Sequence, residues 1–445
     1  MSKETYIHAG QGKHQPNIPS LRWHNIIPTL YLMASKISLI ALLILIPWVA
    51  PGYSILTHEA IIDATWDKTI RPLLLQKYPG ATDAQLTEAH AYAYGGSLVP
   101  DMGYYPYGNK FFTDLIHYVR TGDFVTALLE EARDINEYAF AIGVLSHYYS
   151  DKYGHSIATN HCVPLTYPKD KEKFGPVVTY EQSPIAHVRV EFGFDILQTA
   201  RGNYASDNYR RFVGFKIAQP VLERAFLKTY GLSINDLFKD FSRAEGSFRW
   251  AVNDFYPLIT RTAWMTKKRQ IKKTTPTITR RKFEYKMQHA RYHREYGKNH
   301  ERPGIMAAVL AKVIWVLPKV GPLKYLKIKV PGTEAEKLFI KSFDTIQANF
   351  EVAVRKLGTG HPAFQNIDYD TGKETMPEEY HLADKTYGAL LVKLGDQHFR
   401  TITPPLKQNI IQFYNGCNEN MAATAGSDDW KKISTAIDQL NSTPK

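Results

Sequence analysis

Ala141-Ile-Gly-Val-Leu-Ser-His-Tyr-Tyr-Ser-Asp-Lys-Tyr-Gly-His155 places His147, Asp151 and His155 four residues apart. On a helix that step stacks side chains along one face. Asp134–Ser150 has helical periodicity, with Ile142, Leu145 and Tyr148 as the apolar frame around His147. Some way on, His187-Val-Arg-Val-Glu191 repeats the four-residue step. Two helices carrying such pairs can aim imidazoles and carboxylates at each other across a bundle core. Divalent metal sites are built this way in helical bundles, and this donor set suits zinc. The spacing therefore predicts an all-α, multi-helix bundle enclosing a polynuclear zinc site, with a helical C-terminal extension. Gly154 reads as a helix end, which would make His155 a loop ligand, and His161 in Thr-Asn-His-Cys competes with it.

Working outward, the chain of 445 residues is long enough for one large or two medium domains, and 44% apolar with 22% charged content is ordinary for a folded protein. The formal charge of +12 is uneven: Lys267–Arg302 holds 13 Lys/Arg against three Glu, and the remainder is nearly balanced. The charge therefore does not imply a global nucleic-acid-binding surface. Cys162 and Cys417 are the only cysteines, which rules out a disulfide scaffold and a thiolate zinc site while leaving one bridge open.

Ile37–Val49 is an apolar run preceded by Lys36 and shorter than the roughly 20 residues of a membrane span. With Ala50-Pro51-Gly52 behind it, the run reads as a secretory signal cleaved before Tyr53, with Met33 as the expected start of translation. Residues 1–52 then form a leader and signal peptide without chemistry, and His8, His14 and His24 are set aside with it. The expected destination is secreted or periplasmic.

In the mature chain, Thr57 reads as a helix N-cap with His58 in the first turn. Cleavage before Tyr53 would bring a free α-amine, with a pKa of about 8, and a carbonyl close to that histidine as a chelate. Ala91–Lys110, rich in Gly and Tyr, reads as a loop that presents Asp101 amid Tyr104, Tyr105 and Tyr107. Phe112–Tyr118 resumes helical spacing and carries His117 beside an apolar face. Asn208–Tyr230 and Ser233–Tyr256 are expected to close the bundle, giving a catalytic region over residues 53–265. A basic linker or insertion follows at 266–304, then a C-terminal helical region over 305–445 with helices at Glu334–Leu357 and Met421–Leu440. Ile305–Lys329 alternates apolar runs with Lys, and Pro318 and Pro322 break it, which suits a membrane interface rather than a span. His361, His381, His398, Asp368 and Asp370 lack ligand spacing and are assigned no chemistry.

Taken in order, Tyr53, His58, Asp101, His117, His147, Asp151, His155, His187 and Glu191 resemble the ligand pattern of the zinc-dependent phospholipases C, which are secreted bacterial enzymes. The resemblance covers roughly Tyr53–Trp264. It departs in having Tyr rather than Trp at the mature N-terminus, and in placing the histidine after Asp151 closer than is usual. No match to the β-sandwich domain of the toxin members follows. Single-strand-specific zinc nucleases share the trinuclear arrangement but commonly close the last pair with Asp, so Glu191 favours the phospholipase.

The resemblance implies up to three zinc ions. Tyr53, His58 and Asp151 would hold one. Asp101, His117, His147 and the bridging Asp151 would hold the second, and His155, His187 and Glu191 the third. It also implies hydrolysis of a phospholipid to diacylglycerol and a phosphorylated headgroup by a zinc-activated water, with Asp101 as general base. Tyr104, Tyr105 and Tyr107 are candidates to receive a quaternary ammonium headgroup by cation–π attraction. The expected partner is a phospholipid surface; no specific nucleic acid and no protein partner is indicated. The competing classes are a zinc nuclease and a non-catalytic membrane-binding protein with a structural metal.

Overall fold

The computed structural model describes residues 55–201, 203–204, 215–252, a few positions between 264 and 283, 328–360, 362–415, 417 and 427–442. The proposed leader, Tyr53, most of the basic stretch, nearly all of Ile305–Lys329, His361 and the start of Met421–Leu440 lie outside them. The described residues contain no strand, and one isolated antiparallel bridge, Ile367 with Glu374, is the nearest approach to one. The all-α reading is correct.

The centre is a crossing of α3 (Asp83–Leu98) and α6 (Ile135–Tyr153). A reciprocal Thr82–Gln85 capping box starts α3, and the Asp134 carboxylate accepts the Asn136 and Glu137 amides to start α6. Small residues let the two backbones meet. A Cβ on Gly96 would lie 2.0 Å from the Phe140 carbonyl oxygen, and one on Gly143 would lie 2.1 Å from that of Ala93. This corrects the loop reading of Ala91–Lys110. Gly95 and Gly96 sit inside α3, Gly96 where α6 crosses closely and Gly95 where the Lys216 backbone approaches, and Val99–Tyr104 continues as a 3₁₀ turn.

Around this pair lie α1 (Ile55–Thr65), α2 (Arg71–Lys77), α4 (Lys110–Tyr118) and α5 (Thr121–Glu131). After α6 the chain does not stop at Gly154. It passes through a π-helical stretch, Gly154–Thr159, straight into α7 (Asn160–Thr166), so His155 is a helical residue. Next come α8 (Pro168–Phe174), α9 (Pro184–Arg201), α10 (Gln219–Tyr230) and α11 (Phe241–Trp250). The expected single helix from Ser233 divides, because Asp240 caps a new start by accepting the Arg243 amide at 2.9 Å.

The C-terminal helices are α12 (Thr333–Leu357), α13 (His381–Asp396), α14 (Pro404–Asn415) and α15 (Ser427–Ser442). Buried Phe339, Ile346, Phe350 and Val354 make one apolar stripe on α12. It packs on α6 and the π stretch, with Phe339 stacked on Phe194 of α9 at 4.6 Å. Cys162 and Cys417 are separate thiols; Cys162 points at the Ala335 carbonyl, 3.6 Å away, and burial pushes its pKa up to about 12. No helix among the described residues is long and apolar enough to cross a membrane.

Candidate metal centre

Asp151 stands at the middle of the site, fully buried on the last turns of α6. Its Oδ2 lies 3.1 Å from His147 Nε2 and 3.5 Å from His117 Nε2; its Oδ1 lies 3.6 Å from His58 Nε2 and 3.8 Å from His155 Nε2. Four helical segments supply these rings: α1, α4, α6 and the π stretch. Asp101, in the 3₁₀ turn after α3, brings Oδ1 to 3.3 Å from His117 Nε2. On α9, His187 Nδ1 is 2.9 Å from Glu191 Oε1, which also lies 3.7 Å from His155 Nε2.

Three sets of ligand atoms result, each within 4.8 Å of one another: His58, His147 and Asp151; Asp101, His117 and His147; His155, His187 and Glu191. His147 belongs to two of them and stacks flat on His58, with ring centres 4.3 Å apart. Every one of these eight side chains is buried. His155 is gathered in; His161 is in none of the sets.

The rings are oriented from behind. His147 Nδ1–H donates to the Ser97 carbonyl at 2.9 Å and His117 Nδ1–H to that of Thr113 at 2.9 Å. His187 Nε2–H donates to Asn160 Oδ1 at 2.9 Å. Each such bond leaves the opposite nitrogen with its lone pair toward the cluster, as a metal-ligating histidine requires. The atoms that face inward are His117 Nε2, His147 Nε2, His187 Nδ1, Asp101 Oδ1 and both oxygens of Asp151 and Glu191. None of them makes a hydrogen bond. Buried polar atoms are almost always satisfied, so so many orphans converging on one place fit a set of divalent cations.

The electrostatics agree. Burial, aided by the neighbouring His147, lowers His58 to about 3, and burial with His155 nearby lowers His187 to about 3. Both rings are therefore neutral and ready to ligate at physiological pH. For Asp151, burial opposes ionisation, but His147, His155 and His117 outweigh it and hold the acid well below its usual range. Burial and then Asp151 push Glu191 well above the usual carboxyl range, a group that needs a cation beside it to ionise.

Of the three candidate tyrosines, Tyr104 is buried with its ring edge toward His117, 6.1 Å between centres. Tyr105 turns into the core against Phe248, and Tyr107 is exposed under the Arg243 guanidinium at 4.0 Å. They point into three environments rather than forming one face. Thr57 is not an N-cap: it lies inside α1, and its hydroxyl donates to Asp195 Oδ1 at 2.9 Å, while the Leu56 amide donates to Asp195 Oδ2 at 3.1 Å. Asp195 sits one turn beyond Glu191 on α9. It holds the start of the helix that carries His58, a link between distant chain positions that no local pattern announces.

A second residue outside any local pattern is Asp370, whose Oδ1 accepts from His155 Nδ1 at 3.1 Å. Set aside as scattered in the sequence, it is fully in the interior.

Fold and site together define a helical protein built around a buried cluster of imidazoles and carboxylates suited to several divalent ions. Residues 57–239 match the family model for zinc dependent phospholipase C. All eight clustered side chains fall inside the matched segment. No curated protein and no solved structure matched the chain.

Proposed function

We propose that the chain is a secreted zinc phosphodiesterase that cleaves a phospholipid to diacylglycerol and a phosphorylated headgroup. The observation that supports it is the convergence of eight buried ligand side chains, in three sets of which two share His147, within the segment that matches the phospholipase C family model. Zinc held there would act as a Lewis acid toward a phosphodiester and lower the pKa of a water. His58, His147 and Asp151, then Asp101 and His117, and then His155, His187 and Glu191 would hold the ions, with Asp151 between the groups.

On this reading the chain's own residues take the following part. Asp101 lies in a 3₁₀ turn at the edge of the cluster, and one carboxylate oxygen takes the proton of the attacking water as that water's oxygen bonds phosphorus. The P–O bond to glycerol breaks, and the departing alkoxide takes up a proton. Tyr104 beside His117, and Tyr369, whose ring centre is 5.1 Å from that of His117, wall the centre and keep bulk water away.

The test is hydrolysis of phosphatidylcholine vesicles by the purified full chain after chelation and after re-addition of zinc. Headgroup release that disappears with chelator and returns with zinc supports the proposal. Cleavage of single-stranded DNA with no lipid turnover would make the protein a nuclease instead, and zinc binding without either reaction would leave a structural metal site.

A further inference from the structure

Residues 364–375 follow α12, lie beyond the segment that matches the family model, and are bound tightly against the helices that carry the ligands. The Tyr369 amide donates to the His117 carbonyl at 3.0 Å. Thr121 Oγ1 donates to the Ile367 carbonyl at 2.9 Å and accepts the Ile367 amide at 2.8 Å, and the Asp123 amide donates to Asn366 Oδ1 at 3.0 Å. At the tip the chain reverses. The Gly372 amide donates to the Asp368 carbonyl at 2.9 Å, with Gly372 at a φ of +71°. A Cβ there would lie 2.5 Å from the Lys152 carbonyl oxygen, so glycine suits both the backbone conformation and the approach to α6.

This turn carries Asp370 to the back of the third ligand set. Its Oδ1 accepts from His155 Nδ1, and its Oδ2 accepts from Tyr118 at 3.1 Å and from Tyr380. Its carbonyl accepts from Asn160 Nδ2 at 2.7 Å, and the Oδ1 of that same amide receives His187 Nε2–H. One residue thus braces both imidazoles of the set, His155 directly and His187 through Asn160. We propose that Asp370 is a positioning residue for the third metal group, so that the C-terminal region completes a centre whose ligands all come from the first half of the chain. The proposal rests on the metal reading above. A carboxylate behind a ligating imidazole fixes its tautomer and strengthens it as a donor, and removing such a partner costs about 10–100-fold in metal affinity.

Zinc titrations of the full chain in competition with a chromophoric chelator test this. Asp370→Asn keeps the shape and removes the charge. It is expected to fold as the native chain does by circular dichroism and to bind all but one zinc unchanged, with that one weakened about 10–100-fold. Cobalt(II) in the weakened site is expected to show a shifted visible band. Asp368→Asn, buried in the same turn but bonded to Thr371, is expected to leave every affinity unchanged. Equal affinities in Asp370→Asn and the native chain would overturn the proposal, as would equal weakening by Asp370→Asn and Asp368→Asn. Should Asp370→Asn not fold, Tyr380→Phe removes one donor to the same carboxylate, and an unchanged weakest site there would also overturn it. A native chain that binds no zinc would refute the metal reading itself, an outcome visible before any variant is made.

Discussion

His117 shows how much a buried centre asks of one side chain. Burial alone would depress its pKa, but the carboxylates of Asp101 and Asp151 beside its Nε2 prevail and push it up to about 10. Without metal, its Nε2 holds a proton at neutral pH in the place a cation would take. Loading zinc must expel that proton. Calorimetry at pH 7 in two buffers of different ionisation heat is expected to show at least one proton released per chain; a heat independent of buffer would contradict the assignment. At the same scale, Asp101→Asn tests the proton-acceptor role. Turnover is expected to fall by about 10²–10⁴-fold with zinc content retained. Undiminished turnover would remove Asp101 from the mechanism.

At the scale of elements, the site depends on helices held at set distances. The α3–α6 crossing leaves no room for a methyl group, so Gly96→Ala or Gly143→Ala forces the backbones apart. A loss of about 1–3 kcal/mol is expected in denaturant unfolding, as for other overpacked cores. Asp195 acts from α9 on the first turn of α1. Asp195→Ala is expected to cost about 0.5–2 kcal/mol, the range for a lost helix cap, and to weaken zinc binding at His58. Unaltered zinc affinity in that variant would show that α1 is held in place by packing alone.

What the sequence disclosed at this scale follows the range of its signals. His147, Asp151, His187 and Glu191 were legible because a helix converts a four-residue step into one face. Gly95, Gly96 and Gly154 misled because glycine marks a turn and a close helix contact with the same letter. Gly96 serves the crossing, Gly95 admits the Lys216 backbone, and Gly154 opens a π-helical stretch that carries His155. Asp195 and Asp370 were out of reach for another reason. Their partners, Thr57 and His155, are 138 and 215 positions away, and such pairings are set by tertiary packing rather than by any periodicity.

At the scale of the whole molecule, the matched segment and the C-terminal helices make one cooperative object. Helix α12 covers α6 and the π stretch, and the 364–375 segment bonds to α4 and α5. Cations that bind only the folded form would stabilise this whole assembly by mass action. Chelation is therefore expected to lower the midpoint of thermal unfolding for the entire chain, not just for the family segment, and zinc is expected to restore it.

The central claim is that buried imidazoles and acids from six segments of the helical core close around metal ions. Elemental analysis of the purified, folded chain, without added metal, tests it most directly. Close to three zinc ions per chain are expected, one for each ligand set. A folded chain carrying only trace metal, and taking up none when zinc is supplied, would contradict it.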